Sequence, residues 1–93
     1  MDDDTIYRWA DGVVQEDLGD SIILGDGLGS SWLVLSGTAI DIWRLLQDPH
    51  TLNSLIIKLN ERYESTPDRM RADVISVLTN LSKKEFLQSA PSA

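Results

Sequence analysis

The sequence predicts an α+β fold in which a three-stranded antiparallel sheet is followed by three helices, the second and third of which form a helix-turn-helix-like pair. Two observations predict this fold. Between residues 13 and 35, short apolar runs alternate with turn residues, a pattern typical of β-hairpins. From residue 38 onward, apolar residues recur every three or four positions, which is the spacing of amphipathic helices. The order β-β-β-α-α-α indicates a small sheet packed on a helical unit.

The predicted strands span residues 13–17, 21–24 and 31–35. Leu18-Gly19-Asp20 predicts a turn between the first two strands. The glycine-rich segment 25–29 contains Asp26-Gly27, a strong hairpin signal, and predicts the second turn. The third strand, Ser31–Leu35, is apolar without alternation, so both of its faces are expected to need cover.

Each predicted helix has a threonine that can cap its start. Thr38 precedes Asp41 with the spacing of a capping box, Thr51 precedes the second helix, and Thr66 precedes Pro67 in the favoured first position of the third. The apolar positions expected to face the core are Ala39, Ile42, Trp43 and Leu46 in the first helix, Leu52, Leu55, Ile56, Leu59 and Tyr63 in the second, and Met70, Val74, Val77, Leu78 and Leu81 in the third, followed by Phe86 and Leu87.

These elements predict one domain over residues 13–87. Residues 1–12 are expected to form an acidic N-terminal tail, with Ile6, Tyr7 and Trp9 as candidate anchors that close it against the domain. Residues 88–93 are small and polar and are expected to form a flexible C-terminal tail.

The distribution of charge argues against nucleic-acid binding. The chain of 93 residues has a formal net charge of −7, and residues 1–30 contain eight carboxylates and one arginine, whereas residues 31–93 are balanced. A duplex-binding domain needs a basic face to displace counterions from phosphates. No apolar run approaches the roughly 18 residues of a membrane span, and no targeting segment is visible. A cytoplasmic location is therefore the default expectation.

The sequence predicts no catalytic residue, cofactor site or metal site. There is no cysteine, and His50 is the only histidine, without a carboxylate cluster beside it. The glycines of segment 25–29 precede a strand, whereas a phosphate-binding loop precedes a helix. Asp20-Ser21-Ile22 is similar to the attachment site of acidic carrier proteins, but turn signals surround Ser21 where those proteins have helices.

A surface is a stronger candidate than any reactive group. The third strand offers apolar side chains, and Ile75 lies off the main stripe of the third helix, one turn after Arg71 and one turn before Leu78. An extended peptide could add to this strand, with main-chain hydrogen bonds supplying affinity and pockets supplying selectivity. Arg71 could then meet an acidic peptide residue. The alternative is that the chain's own tail covers this surface.

Several segments together resemble the PqqD family. Leu35-Ser36-x-x-Ala39-x-x-Ile42-Trp43-x-Leu45-Leu46 resembles the family's "LN-x-x-A-x-x-IW-x-LL". Thr51-Leu52-x-x-Leu55 and Leu59-x-x-x-Tyr63 resemble its second helix, and Asp73-Val74-x-x-Val77-Leu78-x-x-Leu81 followed by Phe86-Leu87 resembles its ending. The resemblance covers about Val13 to Leu87. The chain departs from the family at Ser36, where asparagine is usual, and at Glu85, where glycine is common.

The resemblance implies a winged-helix, non-catalytic adaptor that recognises ribosomally made, post-translationally modified peptides. It implies that the leader peptide adds as a strand and is delivered to a modifying enzyme, either the leader protease of lasso-peptide synthesis or the radical SAM enzyme of pyrroloquinoline quinone (PQQ) synthesis. Carried over to this chain, the peptide-binding residues are Ser31, Trp32, Leu33, Val34, Leu35, Arg71, Val74, Ile75 and Leu78.

Two other functions remain open at this point. One is a winged-helix DNA-binding regulator, and the other is a regulatory interaction subunit that binds no leader peptide. An exposed sheet edge also invites self-pairing, so the expected state is a monomer or a weak homodimer.

Overall fold

The computed structural model describes residues 4–64 and 66–91, so parts of both predicted tails, residues 1–3 and 92–93, lie outside the described residues. Six strands and three helices lie in the described chain. In chain order they are β1 Thr5–Trp9, β2 Val14–Asp17, β3 Ile22–Gly25, β4 Trp32–Leu35, α1 Thr38–Leu45, β5 His50–Thr51, α2 Leu52–Asn60, α3 Pro67–Lys83 and β6 Leu87–Pro91.

The three predicted strands are present as the antiparallel sheet β2-β3-β4. Its two turns are held by aspartates at their starts. The Asp17 carboxylate accepts a hydrogen bond from the Gly19 N–H at 2.9 Å, and the Asp26 carboxylate accepts one from the Leu28 N–H at 2.8 Å. These are Asx turns, in which a short side chain replaces a backbone acceptor. The turn chemistry visible in the sequence therefore fixes the sheet.

The caps predicted for the second and third helices are confirmed, and the cap predicted for the first is wrong. The Thr51 and Thr66 hydroxyls accept hydrogen bonds from the backbone N–H three residues ahead. Thr38 instead lies inside α1, whose N-cap is Gly37 and receives no side-chain hydrogen bond. The carboxylate expected to complete the capping box, Asp41, accepts hydrogen bonds from Arg62 and Tyr63 beyond α2. A tertiary contact thus replaces the local cap.

The core lies between the inner face of sheet β2-β3-β4 and the three helices. Trp43 is fully buried at its centre and donates a hydrogen bond from Nε1 to the Gln15 side chain at 3.2 Å. Ile40 is also buried, although it lies outside the predicted stripe. Tyr63, predicted to face the core, follows the end of α2 and is exposed. No helix of residues 4–64 and 66–91 is long and apolar enough to cross a membrane.

A second antiparallel sheet, β5-β1-β6, was not predicted. It joins the N-terminal segment to the C-terminal segment, and residues 88–91, expected to belong to a flexible tail, pair with β1 along its length. Trp9 at the end of β1 stacks on Trp43 with ring centroids 4.8 Å apart, and its Nε1 donates to the Trp43 carbonyl at 2.7 Å. This contact locks the second sheet onto the core.

The turn between α3 and β6 shows why glycine is common in the family at the position of Glu85. Its backbone adopts φ 62°, the left-handed conformation that favours glycine. The N–H of the following residue, Phe86, donates to the Leu81 carbonyl at 3.0 Å, which closes the helix end as in a Schellman motif. The turn therefore keeps its geometry with a glutamate in place of the glycine. The next residue, Phe86, is buried in the core.

Candidate functional site

Strand β4 lies at the edge of sheet β2-β3-β4, so one side of its backbone has no partner strand among residues 4–64 and 66–91. The Asp26 N–H donates to the Ser31 carbonyl at 3.2 Å, and the register then pairs Leu33 and Leu35 with β3. In an antiparallel ladder, hydrogen-bonded and non-hydrogen-bonded pairs alternate. Leu33 and Leu35 therefore direct their N–H and C=O groups toward β3, and Trp32 and Val34 direct theirs toward the open edge.

A cleft of about 160 Å³ runs beside this open edge, between β4 and α3. Most of its lining residues are aliphatic, and Ser36 and Asn80 add polar side chains. The lining residues are Leu33, Val34, Leu35, Ser36, Ala39, Val77 and Asn80. Unpaired main-chain groups thus lie next to apolar pockets, which is the combination that strand addition requires.

The predicted helix residues do not line this cleft. Val74 and Leu78 have 0% exposed surface and belong to the core beneath it. At 3.6 residues per turn, Ile75 lies roughly 160° around the helix axis from Val77, and Arg71 lies close to Ile75 on that opposite flank. The β4 residues of the predicted site therefore lie together at the open edge. The four residues that the prediction took from α3 lie in the core or on the opposite flank of the helix.

Comparison with known protein families identifies the chain. The family of coenzyme PQQ synthesis protein D (PqqD) matches residues 21–87, which is more than half of the chain. The chain belongs to the PqqD family. The match includes β3, β4 and all three helices, and so contains both walls of the cleft. A search of curated proteins found no match to the sequence.

Two solved structures share the fold of this PqqD-family chain. One is TbiB1 in complex with the TbiA(beta) leader peptide, with a TM-score of 0.78 and 21% identity over 87% of this chain and 94% of the other. The second is lasso peptide synthetase B1 complexed with the leader peptide, with a TM-score of 0.73 and 21% identity over 91% of this chain and 98% of the other. At this identity the likeness establishes the fold.

The cleft residues that the sequence analysis missed are Ser36, Ala39, Val77 and Asn80. Ala39 and Val77 were assigned to core stripes, and both are indeed half-buried against the core. Their position at the border of each stripe was the available signal, because border residues can touch the core and the solvent together. The sequence alone does not indicate which border of α3 faces β4.

A larger and more polar depression, of about 430 Å³, lies where β4 begins. Lys83 and Lys84 line it together with three acidic side chains, Asp11, Asp26 and Glu85. The hydrogen bond from the Ser30 hydroxyl, followed by that from the Leu28 N–H, lowers the pKa of Asp26 below its ordinary value. This carboxylate is therefore charged at neutral pH, and the depression offers a ligand charges of both signs.

The described residues contain no group of three or more histidine, aspartate or glutamate side chains arranged to hold a metal ion. His50 lies in β5, and its Nδ1 is 3.0 Å from the Asp48 carbonyl, in a local turn contact away from the cleft. The cleft itself is lined by β4 backbone and mostly by aliphatic residues.

Proposed function

We propose that this PqqD-family protein is an adaptor that binds the leader of a ribosomally made precursor peptide as a fourth strand on β4 and delivers it to a modifying enzyme. The observation that carries the proposal is the unpaired edge of β4 beside the aliphatic cleft. Family membership supports it, and so do the two structural neighbours, which are described as complexes with a leader peptide.

Strand addition assigns a role to each side of β4. The backbone groups of Trp32 and Val34 bond the peptide, and alternate peptide side chains enter the cleft against Val77. The remaining peptide side chains lie on the outer face of the sheet, beside the exposed Trp32 and Val34 side chains. The proposed peptide-binding residues are Ser31, Trp32, Leu33, Val34, Leu35, Ala39, Val77 and Asn80.

The adaptor needs no catalytic group of its own. Holding the leader raises the effective concentration of the rest of the precursor near the partner enzyme's active site. The partner is a leader protease or a radical SAM enzyme, and the complex acts in the cytoplasm, where the precursor is made. Main-chain recognition tolerates changes in the leader's sequence, while the cleft restricts the size of every second side chain.

The proposal is tested by an amide NMR titration of the ¹⁵N-labelled protein with the leader of the short open reading frame nearest its gene. We expect the largest shifts at Trp32, Val34, Val77 and Asn80, with smaller changes at Arg71 and Ile75. A protein that is folded but shows no shifts with any neighbouring leader would be an interaction subunit that binds no leader, and the proposal would fail.

A proline at position 34 tests the hydrogen-bonding step. Val34→Pro removes an N–H that faces the open edge and leaves the β3–β4 hydrogen bonds intact, because those belong to Leu33 and Leu35. We expect the Kd for the leader to rise about tenfold through the lost hydrogen bond and the bulk of the ring. Val34→Thr keeps the N–H and serves as the control. Equal affinities for the two variants would exclude strand addition at this edge.

A pair of charge substitutions on α3 tests which flank faces the peptide. Val77→Glu places a carboxylate in the cleft and is expected to weaken leader binding, because the charge is desolvated when the peptide covers it. Ile75→Glu makes the same change on the opposite flank and is expected to leave the Kd unchanged. If Ile75→Glu alone weakened binding, the peptide would lie on the flank first predicted from the sequence.

A further inference from the structure

The outer face of sheet β2-β3-β4 is apolar and uncovered. Side chains on one face of a strand alternate with those on the other, so the outward positions are Val14 and Glu16 in β2, Ile23 and Gly25 in β3, and Trp32 and Val34 in β4. Trp32 is 64% exposed, Val14 is 56% exposed and Val34 is 49% exposed. Four of these six positions are large apolar residues, and only Glu16 carries a charge.

The side chains of this face leave a gap at Gly25, which we call the Gly25 notch. The register places Gly25 directly between Val14 and Trp32, so two large side chains flank a position that has none. The resulting cavity has a volume of about 260 Å³ and is lined by both of them and by Ile23. It lies on the outer face, whereas the proposed peptide site lies at the edge, and it is large enough to receive an aliphatic or aromatic side chain.

The backbone does not require glycine at this position. Gly25 is absent from the glycines with positive φ, and a Cβ built on it meets only the Ser31 carbonyl oxygen, at 3.8 Å. Neither turn geometry nor close packing therefore explains the missing side chain. The missing side chain leaves the notch open to a partner.

The border of the face has more acidic than basic side chains. Residues 11–36, which contain the whole sheet, include five carboxylates and no lysine, arginine or histidine. Arg44 of α1 is paired with one of them, Asp17, at 2.9 Å, and Lys83 and Lys84 line the depression next to Asp26. Asp26 lines the notch itself, and Glu16 stands on the face next to Val14. A complementary partner has an apolar side chain that projects from a surface with lysine or arginine around it.

We propose that this outer face docks the peptide-modifying enzyme, which inserts an apolar side chain into the Gly25 notch and surrounds it with basic residues. The inference rests on the proposed function, because it names the adaptor's partner. Trp32 and Val34 belong both to this face and to β4, whose open edge is proposed to bind the leader. An added leader strand therefore lies beside the docked enzyme. This arrangement places the precursor next to the enzyme that modifies it.

A second copy of this chain fits the face poorly. Pairing two such faces would bring two acidic sheets together, because residues 11–36 of each copy contribute no cation and Arg44 is already paired with Asp17. An anionic membrane surface is disfavoured by the same repulsion. Charge complementarity thus favours a partner protein with a basic surface over a second copy of this chain or an anionic membrane.

The test uses the purified modifying enzyme encoded beside this protein's gene and measures two affinities by calorimetry, one for the enzyme and one for the leader. Gly25→Val fills the notch with a residue that strands favour. We expect this variant to raise the Kd for the enzyme about tenfold or more and to keep the Kd for the leader within about twofold. The effect of salt is the second readout, because a basic border makes the affinity for the wild-type protein fall as salt rises.

Val14→Ser and Ile57→Ser form a matched pair that does not depend on filling the notch. Both remove an exposed aliphatic side chain, at 56% and 61% exposure, but Ile57 lies on α2, away from the face. We expect weaker enzyme binding for Val14→Ser alone.

The outcomes separate this inference from the proposed function. Unchanged enzyme binding by Gly25→Val and Val14→Ser, with normal leader binding, would overturn the docking face and leave the adaptor function standing. Loss of a wild-type dimer in Val14→Ser, seen by sedimentation, would replace the enzyme with a second copy as the occupant. A leader that does not bind the wild-type protein would overturn the proposed function, whatever the enzyme titration gives.

Discussion

The two sheets of this protein differ in whether they leave apolar surface exposed to solvent. We call β5-β1-β6 the closed sheet and β2-β3-β4 the open sheet. Sheet β5-β1-β6 holds the chain's two ends together, and its central strand is attached to the core through Tyr7, which is buried, and through the Trp9–Trp43 stack. Its edge strand β6 contains small and polar residues and ends at Pro91, a composition that discourages further strand pairing. Sheet β2-β3-β4 presents an apolar edge strand and an apolar outer face to solvent.

The difference teaches that only sheet β2-β3-β4 combines a stabilising inner face with an exposed apolar surface. Its inner face buries Ile22, Leu24 and Leu35 in the core, and this burial contributes free energy to folding. The exposed side chains of Trp32 and Val34 add little to stability, and their apolar area is available to a partner. The two tryptophans Trp9 and Trp32 represent these two roles.

Trp9→Ala should have the largest effect on stability, because it weakens the attachment of the closed sheet to the core. It removes the stack on Trp43, the Nε1 hydrogen bond and half-buried apolar area, so we expect the free energy of unfolding to fall by about 2–3 kcal/mol. Urea denaturation followed by circular dichroism measures the change. Leader affinity should be unchanged under conditions in which the variant is folded. A stability like that of the wild-type protein would show that the second sheet does not stabilise the core.

Trp32→Ala is the matched change in the open sheet and should give the reverse result. Because the side chain is 64% exposed, we expect stability to change by no more than about 0.5 kcal/mol. Loss of its contact with the added strand should weaken leader binding by about 1 kcal/mol, roughly a fivefold rise in Kd. Calorimetry with the leader alone measures this. A large loss of stability with normal binding would reverse the roles assigned to the two sheets.

Glu85→Gly tests the turn that leads into the closed sheet. Glycine adopts φ 62° without the clash that a side chain causes, so we expect the free energy of unfolding to rise by about 0.5–1 kcal/mol after the greater freedom of the unfolded chain is counted. Thermal unfolding measures the gain, and Lys84→Gly, one residue earlier at φ −87°, is the control and should destabilise. A destabilised Glu85→Gly variant would contradict the strain assigned to this turn.

Asp17→Asn should have the smallest effect and concerns the attachment of the open sheet to α1. The Arg44 side-chain hydrogen bond, at 2.9 Å, followed by the Gly19 N–H, holds the pKa of Asp17 below its ordinary value of 3.8. A lowered folded-state pKa contributes stability above the unfolded pKa, and this contribution is lost as the pH falls through the folded value.

The wild-type protein should therefore unfold at a slightly higher temperature than Asp17→Asn at pH 7, and the difference should shrink as the pH falls below 3.8 and through the lowered folded-state pKa. Thermal unfolding between pH 2 and pH 7 checks this prediction, with added salt reducing the difference because the pair is exposed. A difference that grew toward low pH would contradict the sign.

Elements fixed by local chemistry were predicted well. The turns at Asp17 and Asp26, the caps at Thr51 and Thr66, and the buried stripe of α3 each depend on residues within a few positions of one another. The cap prediction at Thr38 failed because α1 already includes Thr38 and has Gly37 as its N-cap, and Asp41 accepts hydrogen bonds from residues more than twenty positions away. Sheet β5-β1-β6 was missed because its strands pair across most of the chain and β5 has only two residues.

The sequence by itself determined the three hairpin strands, the three helices and the resemblance to the PqqD family, because periodicity and turn residues act over short distances. Only the tertiary structure decided that Val77, rather than Ile75, lies beside β4, since α3 carries half-buried residues on both flanks and the packing of the sheet selects one of them. It also decided that Gly25 opens a notch between Val14 and Trp32, because cross-strand neighbours are set by register, and register arises only when the strands pair.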